Sequence, residues 1–431
     1  MPILLDTSSP DFAAAFGAFL AMKREVAADV EAACRRIVDD VAARGDAALI
    51  EATHRFDRLE LDASRLRIGG DEIAQAVKAC DRETVAALEL ARERIESFHR
   101  RQLPKDERFT DALGVELGWR WSAIQSVGLY VPGGTAAYPS SVLMNAVPAK
   151  VAGVDRIVMV VPSPDGKLNP LVLAAAHLAG VSEIYRVGGA QAIAALAHGT
   201  ATIAPVAKIV GPGNAYVAAA KRLVFGKVGI DMIAGPSEVL VIADRSANPA
   251  WIAADLLAQA EHDANAQSIL ITDDASLASD VARAVDTQLA TLPRAQIARA
   301  SWQDFGGIIK VRTIEESVAL ADALAAEHLE IMTEDPEGLA AKIRNAGAVF
   351  LGAHTPEAIG DYVGGSNHVL PTARSARFSS GLGVLDFMKR TSMLKCGPEQ
   401  LRQLGPAAMT LGKAEGLDAH SRSVGIRLNL P

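Results

Sequence analysis

In the first hundred residues, apolar positions recur every three or four residues. This periodicity runs through residues 26–49 and again through residues 73–98, and it is typical of helices that bury one face. Gly69 and Gly70 separate the two stretches. The pattern therefore predicts a helical N-terminal region.

From about residue 125, short apolar runs alternate with alanine-rich stretches. Residues 157–161 are almost entirely apolar and end at a Pro-Ser-Pro sequence, which is typical of a buried parallel strand. In this first unit the predicted strands are 157–161, 184–187 and 208–210, and the predicted helices are 171–179, 191–198 and 215–224. Because strands and helices alternate, we expect a parallel sheet with right-handed crossovers.

A second α/β unit follows, and after it a short tail. The predicted strands of this unit are 239–243, 268–272, 307–311 and 348–351, and its predicted helices are 251–262, 277–289 and 315–329. The tail after about residue 385 returns to a helical pattern. It is too short to bury a core of its own, so we expect it to dock on the rest of the chain or on another subunit.

Composition and charge exclude several classes of partner. The chain has 43 Lys and Arg against 51 Asp and Glu, a net charge of −8, and no extended basic run, so we expect neither nucleic acid nor a membrane as partner. The N-terminal segment lacks the features of a signal peptide. The cysteines, Cys34, Cys80 and Cys396, are widely spaced, which suits neither a disulfide framework nor a cysteine zinc site and favours a cytoplasmic location.

Three glycine-containing turns fall in the first α/β unit. They are Tyr130-Val-Pro-Gly-Gly-Thr135, Val187-Gly-Gly-Ala-Gln191 and Val210-Gly-Pro-Gly-Asn214. Open α/β sheets bind ligands outside the carboxyl ends of their strands, where helix N termini offer free N–H groups. No turn matches the dinucleotide fingerprint or the P-loop. Each could be only a tight turn, but three together favour a nucleotide-type ligand.

The second unit carries candidates for metal binding and proton transfer. Gln259 and His262 share one face of the predicted helix 251–262, although this spacing alone favours a polar face over a metal site. Glu327 and His328, at the end of the predicted helix 315–329, are a minimal pair for proton transfer near neutral pH. The alternative, of equal weight, is that His328 only interacts with the carboxyl end of that helix.

Two further pairs of polar residues lie nearer the C terminus. Asp361 and His368 belong to a glycine-rich stretch, residues 360–370, in which we expect a functional loop rather than a packed element; an Asx-type turn is the alternative. Glu415 and His420 lie in the tail, where a histidine is most often a surface residue.

Taken together, these segments resemble the histidinol dehydrogenase family, in order and over about residues 25–428. The matching motifs are Tyr130-Val-Pro-Gly-Gly-Thr-Ala-Ala-Tyr-Pro139, Gly211-Pro-Gly-Asn-Ala-Tyr216, Asp231-Met-Ile-Ala-Gly-Pro-Ser-Glu238, Ala258-Gln-Ala-Glu-His-Asp263, Glu327-His-Leu-Glu330, Gly365-Ser-Asn-His-Val-Leu-Pro371 and Glu415-Gly-Leu-Asp-Ala-His420. The resemblance implies a zinc-dependent homodimer that oxidises L-histidinol to L-histidine through the aldehyde, using two NAD⁺, at the end of histidine biosynthesis.

The resemblance also implies an architecture. The expected fold is α/β, with two Rossmann-like doubly wound parallel-sheet domains of the aldehyde-dehydrogenase kind, a helical N-terminal region and a small helical C-terminal tail. The expected divisions are an N-terminal arm at 1–24, a main domain with the metal and catalytic residues at 25–125 plus 238–384, a Rossmann-like NAD-contacting domain at 126–237, and a tail at 385–431 that docks on the partner subunit.

Site residues carry over from the family position by position. The implied zinc ligands, for one ion per subunit, are Gln259, His262, Asp361 and His420. The implied NAD⁺ contacts are Tyr130, Gln191 and Asn214, and the implied substrate contacts are Ser237, Gln259, His262, His328, Asp361, His368, Glu415 and His420. In the mechanism that we expect, His328 takes the hydroxyl proton and Glu327 activates the water that attacks the aldehyde.

Three other functions stay open at this point. A relative with the same zinc and NAD⁺ machinery could oxidise another small polar alcohol, such as a hydroxylated sulfonate, although His368 and Glu415 favour histidinol. A zinc hydrolase would turn over its substrate without NAD⁺ and would leave the glycine turns unexplained. A non-catalytic nucleotide-binding protein would bind NAD⁺ without reducing it.

Overall fold

The computed structural model describes residues 2–22, 28–133, 138–233 and 235–430. Its strands are β1 (Ile3–Asp6), β2 (Glu107–Thr110), β3 (Glu116–Ala123), β4 (Ser126–Tyr130), β5 (Arg156–Val160), β6 (Glu183–Tyr185), β7 (Lys208–Val210), β8 (Gly229–Ile230), β9 (Glu238–Ala243), β10 (Gln267–Thr272), β11 (Gly307–Lys310), β12 (His328–Met332), β13 (Ala348–Leu351) and β14 (Met388–Lys395).

The α-helices of the same residues alternate with most of these strands. They are α1 (Phe12–Leu20), α2 (Ala28–Arg44), α3 (Asp46–Asp57), α4 (Gly70–Ala79), α5 (Arg82–Arg100), α6 (Pro139–Val151), α7 (Pro170–Leu178), α8 (Gly189–His198), α9 (Ala215–Val224), α10 (Pro249–Ala260), α11 (Ala275–Leu289), α12 (Ala295–Asp304), α13 (Ser317–Leu324), α14 (Pro336–Ala340), α15 (Glu357–Tyr362), α16 (Pro398–Ala414) and α17 (Asp418–Gly425). Over the described ranges, none of these helices has both the length and the apolar character that crossing a membrane requires.

Two parallel sheets organise the chain. One has five strands in the order β6-β5-β4-β7-β8, and the other has six in the order β1-β11-β10-β9-β12-β13. Every pair of neighbours in both sheets is parallel. Helices cover both faces of each sheet, which explains why strands such as β9 and β10 are buried along their whole length. The expected α/β class with two doubly wound sheets is confirmed.

The N-terminal helices pack on the five-stranded sheet. Helix α2 lies against α8 and α9, and α5 lies against α6. The predicted helix 26–49, whose residues 26 and 27 lie outside the described ranges, is divided at Gly45, which has a φ of 58°. The predicted helix 73–98 is divided just before Asp81, which caps α5. The expected division, which groups residues 25–125 with 238–384, stays a prediction.

The predicted helix 315–329 is wrong at its carboxyl end. Helix α13 ends at Leu324, Ala325 adopts a left-handed conformation with a φ of 45°, and His328 begins strand β12. All five residues of β12 are buried between β9 and β13. A short apolar run at this position fits a helix and a buried strand equally well, so periodicity alone could not separate the two.

Two other expectations about local structure also need correction. Asp361 lies in the short helix α15, not in a loop. The tail is not entirely helical, because β14 pairs antiparallel with β3 over eight residues, and β3 also pairs with β2. Both faces of β14 are largely exposed, so it lacks the alternating pattern by which a half-buried strand is recognised.

The two helices of the tail form a small unit of their own. Gly405 of α16 lies against Val424 and Leu428, and α16 and α17 make their extensive contacts with each other and with the turn that follows α17. No extensive contact joins either helix to a parallel sheet within the described residues. Exposed apolar side chains of the tail include Leu404, Leu411, Leu417, Ile426 and Leu430. The single chain therefore leaves an apolar surface of the tail uncovered.

Candidate active site

A buried imidazole lies at the amino ends of strands β9 and β12. His328 is the first residue of β12, and it pairs with Val239, which is the second residue of β9. The His328 side chain is only 6% exposed, and its Nδ1 lies 3.2 Å from the backbone carbonyl oxygen of Glu238. Because the carbonyl can only accept a hydrogen bond, this contact favours a proton on Nδ1 and leaves Nε2 available as a base.

Three carboxyl groups surround this imidazole. Nδ1 lies 3.5 Å from Oε2 of Glu357 and 3.9 Å from Oε2 of Glu327, whereas Nε2 lies 3.5 Å from Oδ1 of Asp361. Burial by itself disfavours the charged imidazolium, but the negative charges of Glu357, Glu327 and Asp361 outweigh it and raise the pKa of His328. The three carboxyl groups therefore stabilise the positive charge that forms on the ring when Nε2 accepts a proton.

Glu327 is a second group suited to proton transfer. Its Oε2 accepts a hydrogen bond of 3.1 Å from the backbone N–H of Glu238. Burial raises the pKa of Glu327 to about 7, although the neighbouring His328 partly opposes the shift. A carboxyl group with a pKa near neutrality can act as a general base at physiological pH. The structure thus places the expected pair, Glu327 and His328, in one buried cluster.

Two of the expected zinc ligands, Asp361 and His262, lie near this pair, and a third, Gln259, lies three residues before His262. Gln259 lies at the carboxyl end of α10, fully buried, and neither its Oε1 nor its Nε2 makes a hydrogen bond to a described group. His262 follows just after α10, where burial lowers its pKa while the charge of Asp361 opposes the shift. An unpaired buried amide costs roughly 1–3 kcal/mol. Gln259 therefore needs a partner from outside the described chain, and a metal ion or a polar substrate fits.

The described residues of one chain do not bring all four expected zinc ligands together. No group of three or more His, Cys, Asp or Glu side chains in the described ranges could hold a metal ion. His420, on α17, and Glu415, just after α16, are both exposed, and the extensive contacts of the tail do not include the elements that carry Gln259 and Asp361. The structure of a single chain does not bring these two tail residues to the site.

The remaining expected substrate residues border the cluster. Nδ1 of His368 lies 2.9 Å from the backbone carbonyl oxygen of Asp361, and its Nε2 lies 3.3 Å from Oγ of Ser141. Burial lowers the pKa of His368, so its neutral form is favoured. Ser237 directly precedes β9, and its carbonyl oxygen accepts the N–H of Gln267. His368 and Ser237 therefore lie beside the elements that hold Asp361 and Glu238.

The glycine turns lie on the other sheet, at the carboxyl ends of β4, β6 and β7. Strands β4 and β7 are neighbours, and the chain order of the sheet reverses between them, which is where open α/β sheets bind ligands. Gly211 has a φ of 109°, and a Cβ atom there would lie 2.2 Å from the carbonyl oxygen of Tyr130. Only glycine allows this close approach of two backbones.

Side chains of the expected NAD⁺ contacts hold these turns in place. The Tyr130 hydroxyl accepts a hydrogen bond of 3.1 Å from the N–H of Gly189, and both Tyr130 and Gln191 are buried. Asn214 caps α9, because its Oδ1 accepts the N–H groups of Tyr216 and Val217. All three residues thus lie at the predicted turns. Gly134 and Thr135 of the first turn fall outside the described residues.

The expectation from sequence missed three acidic residues of the cluster. Burial raises the pKa of Glu357 to about 8 and that of Asp255 to about 6, and it also raises the pKa of Glu330. Glu330 had a recognisable signal, since it is a charged residue inside the apolar run of β12. Glu357 had none, because its partners come from distant parts of the chain.

Comparison with known proteins gives a consistent result over the whole chain. A family model described as histidinol dehydrogenase matches residues 20–428. Histidinol dehydrogenases from Rhodopseudomonas palustris and Bradyrhizobium diazoefficiens are 81% and 80% identical, and each match covers 100% of both chains. The crystal structure of histidinol dehydrogenase from Elizabethkingia anophelis is 37% identical, with a TM-score of 0.94, and the match covers 99% of this chain and 98% of that one.

Proposed function

The chain belongs to the histidinol dehydrogenase family, and from this premise we propose that it oxidises L-histidinol to L-histidine in two steps, with two NAD⁺ and one zinc ion per subunit. The observation that carries the proposal is the buried pair of Glu327 and His328, whose two environments differ. His328 is stabilised in its charged form by three carboxyl groups, whereas burial makes Glu327 titrate near neutral pH.

The polar side chains beside this pair support zinc as the metal. Gln259, His262 and Asp361 would hold it, with His420 as a fourth ligand, and this mixed nitrogen and oxygen set suits zinc. The fit rests on Gln259, because its amide is buried without a hydrogen-bond partner among the described residues. When bound, the zinc would anchor the amine and the imidazole of the substrate. The remaining polar groups of the substrate would be bound by Ser237, His368 and Glu415.

The geometry of the tail supports a homodimer that shares its sites. Helices α16 and α17 have no extensive contact with either parallel sheet of their own chain, within the described ranges, and they expose apolar side chains. A second copy of the chain would cover this surface. It would also bring the partner's His420 and the partner's Glu415 to the cluster around His328.

Two proton transfers by this chain's own residues account for the chemistry. In the first oxidation, Nε2 of His328 accepts the proton of the substrate hydroxyl while a hydride passes to NAD⁺. In the second, Glu327 removes a proton from water, which adds to the aldehyde carbon, and the hydrated aldehyde gives a second hydride to another NAD⁺. Over both steps, histidinol, water and two NAD⁺ yield histidine, two NADH and protons.

The five-stranded sheet supports NAD⁺ as the hydride acceptor. The turns of Tyr130, Gln191 and Asn214 meet at the carboxyl edge of that sheet, and α8 and α9 begin in two of them. Helix N termini offer N–H groups to a pyrophosphate. A zinc hydrolase would not need a nucleotide-binding site at this edge of the sheet.

The experiment that tests the proposal is NADH formation from L-histidinol by the purified protein. We expect two NADH for each histidinol consumed, loss of activity after chelation, and recovery on adding zinc. Activity with another small alcohol but not with histidinol would assign a different substrate. Substrate turnover without NAD⁺ would contradict the proposed oxidation.

A further inference from the structure

Helix α15 places a carboxyl group near each nitrogen atom of the His328 imidazole. Glu357 and Asp361 lie four residues apart on this helix and therefore on the same face. Oε2 of Glu357 lies 3.5 Å from Nδ1, and Oδ1 of Asp361 lies 3.5 Å from Nε2. The ring therefore lies between two carboxyl groups of one helix.

Glu357 is itself fixed from the neighbouring strand. Its backbone N–H donates a hydrogen bond of 2.6 Å to Oε1 of Glu330, and this bond satisfies the first N–H group of α15. Glu330 follows His328 by two residues in β12, so both side chains leave the strand on the same side. Burial and the neighbouring charge of Asp255 both raise the pKa of Glu330.

The two glutamates near Nδ1 are not equivalent. Oε2 of Glu327 already accepts the N–H of Glu238 and lies 3.9 Å from Nδ1. Oε2 of Glu357 is buried, makes no hydrogen bond to a described group, and lies closer to Nδ1. Nδ1 also faces the carbonyl oxygen of Glu238 at 3.2 Å, so its N–H would be shared between that oxygen and Glu357. Glu357 is thus the carboxyl group best placed to bind the imidazole.

We propose that Glu357 is a positioning residue for the oxidation: held by Glu330, its carboxyl group binds Nδ1 of His328 and so presents Nε2 to the substrate. This inference rests on the proposed function for its kinetic consequence only. Glu357 touches neither substrate nor NAD⁺ in this scheme and acts entirely through His328. Without it, the ring would lose one of its supports on the Nδ1 side, and the other tautomer would become accessible.

The kinetic test compares E357M with E357Q in the zinc-loaded dimer. Methionine keeps the side-chain volume but offers no oxygen to Nδ1, whereas glutamine keeps an oxygen that can accept the bond. We expect E357M to lower kcat for histidinol roughly 10–100-fold, as is typical when a group that supports a site residue is lost, with KM and zinc content unchanged. E357Q should retain most of the activity, and E337M, at an exposed glutamate of α14, should have no effect.

A second measurement separates this inference from the proposed function. The ¹⁵N chemical shifts of the His328 ring, assigned by comparison with H328N and recorded at a pH at which the ring is neutral, report the tautomer without any turnover. We expect the form with a proton on Nδ1 in the wild type and E357Q, and a mixture in E357M. An unchanged tautomer and unchanged kcat in E357M would overturn the role of Glu357, and so would equal loss of activity in E357M and E357Q. Failure of the wild type to oxidise histidinol would instead overturn the proposed function.

Discussion

Lys221 and Asp231 form an ion pair of 2.5 Å in which both side chains are almost completely buried. The ammonium group of Lys221 also donates a hydrogen bond of 2.7 Å to the carbonyl oxygen of Gly211, and the N–H of Gly211 donates one of 2.8 Å to Asp231. The pair therefore holds the turn between β7 and α9 from both sides. This turn carries Asn214, an expected contact of NAD⁺.

Replacing Lys221 by Met should destabilise the protein and weaken NAD⁺ binding. The substitution leaves the charge of Asp231 buried without its partner, which costs about 3–5 kcal/mol in the free energy of unfolding. Urea denaturation would measure this loss, and calorimetric titration with NAD⁺ would measure the affinity. As a control, K342M breaks the exposed pair of Lys342 and Glu315 and should cost less than about 1 kcal/mol. Equal losses for the two variants would show that the buried pair has no special role.

Replacing Glu327 by Gln should separate the two oxidations. The amide oxygen can still accept the N–H of Glu238, so the local structure should be kept, but an amide cannot take a proton from water. We expect the first step to retain most of its rate, and oxidation of added aldehyde to fall about 10²–10⁴-fold. Single-turnover NADH formation from histidinol and from the aldehyde would measure the two steps. If both fell equally, this division of roles would be wrong.

The aldehyde step should speed up as the pH rises through neutrality. Glu327 must be ionised to act as a base, and burial raises its pKa from 4.5 to about 7. Below that value the ionised fraction, and with it the rate, should fall about tenfold for each pH unit. Rates measured between pH 5.5 and 8.5 would show the inflection, and the residual rate of E327Q should lack it. An inflection that persists in E327Q would assign the titration to another group.

Mixing two inactive variants should restore activity if each site is shared between subunits. H262N removes a proposed zinc ligand that lies outside the tail, and H420N removes the proposed ligand in the tail. A mixed dimer has one site with both defects and one site with none. Random pairing therefore returns about a quarter of the wild-type activity. The measurement is NADH formation after the two variants are unfolded and refolded together, with each variant refolded alone as control. No recovery, in preparations shown to contain mixed dimers, would place His420 in its own chain's site.

Local signals in the sequence were sufficient to predict the bounds of helices and strands where glycines and capping residues mark their ends. Strand β7 and helix α9 have the predicted bounds, because Gly211 and Asn214 mark the boundary between them. Such signals act over a few residues and are readable without knowledge of the fold. They failed at His328, where an apolar run that fits a helix forms a buried strand between β9 and β13.

The amino-acid sequence by itself determined the α/β class, the glycine turns at the carboxyl ends of the five-stranded sheet, and the family. These follow from periodicity and from motifs that are continuous in the chain. The tertiary structure alone decided that the buried cluster around His328 lies at the amino ends of β9 and β12, with Glu357 beside His328 and Glu330 bonded to the backbone of Glu357. The pKa values of these groups depend on their burial and on charges from separate elements. The burial and the neighbouring charges arise only when the sheet and α15 pack together, so no local pattern in the sequence encodes them.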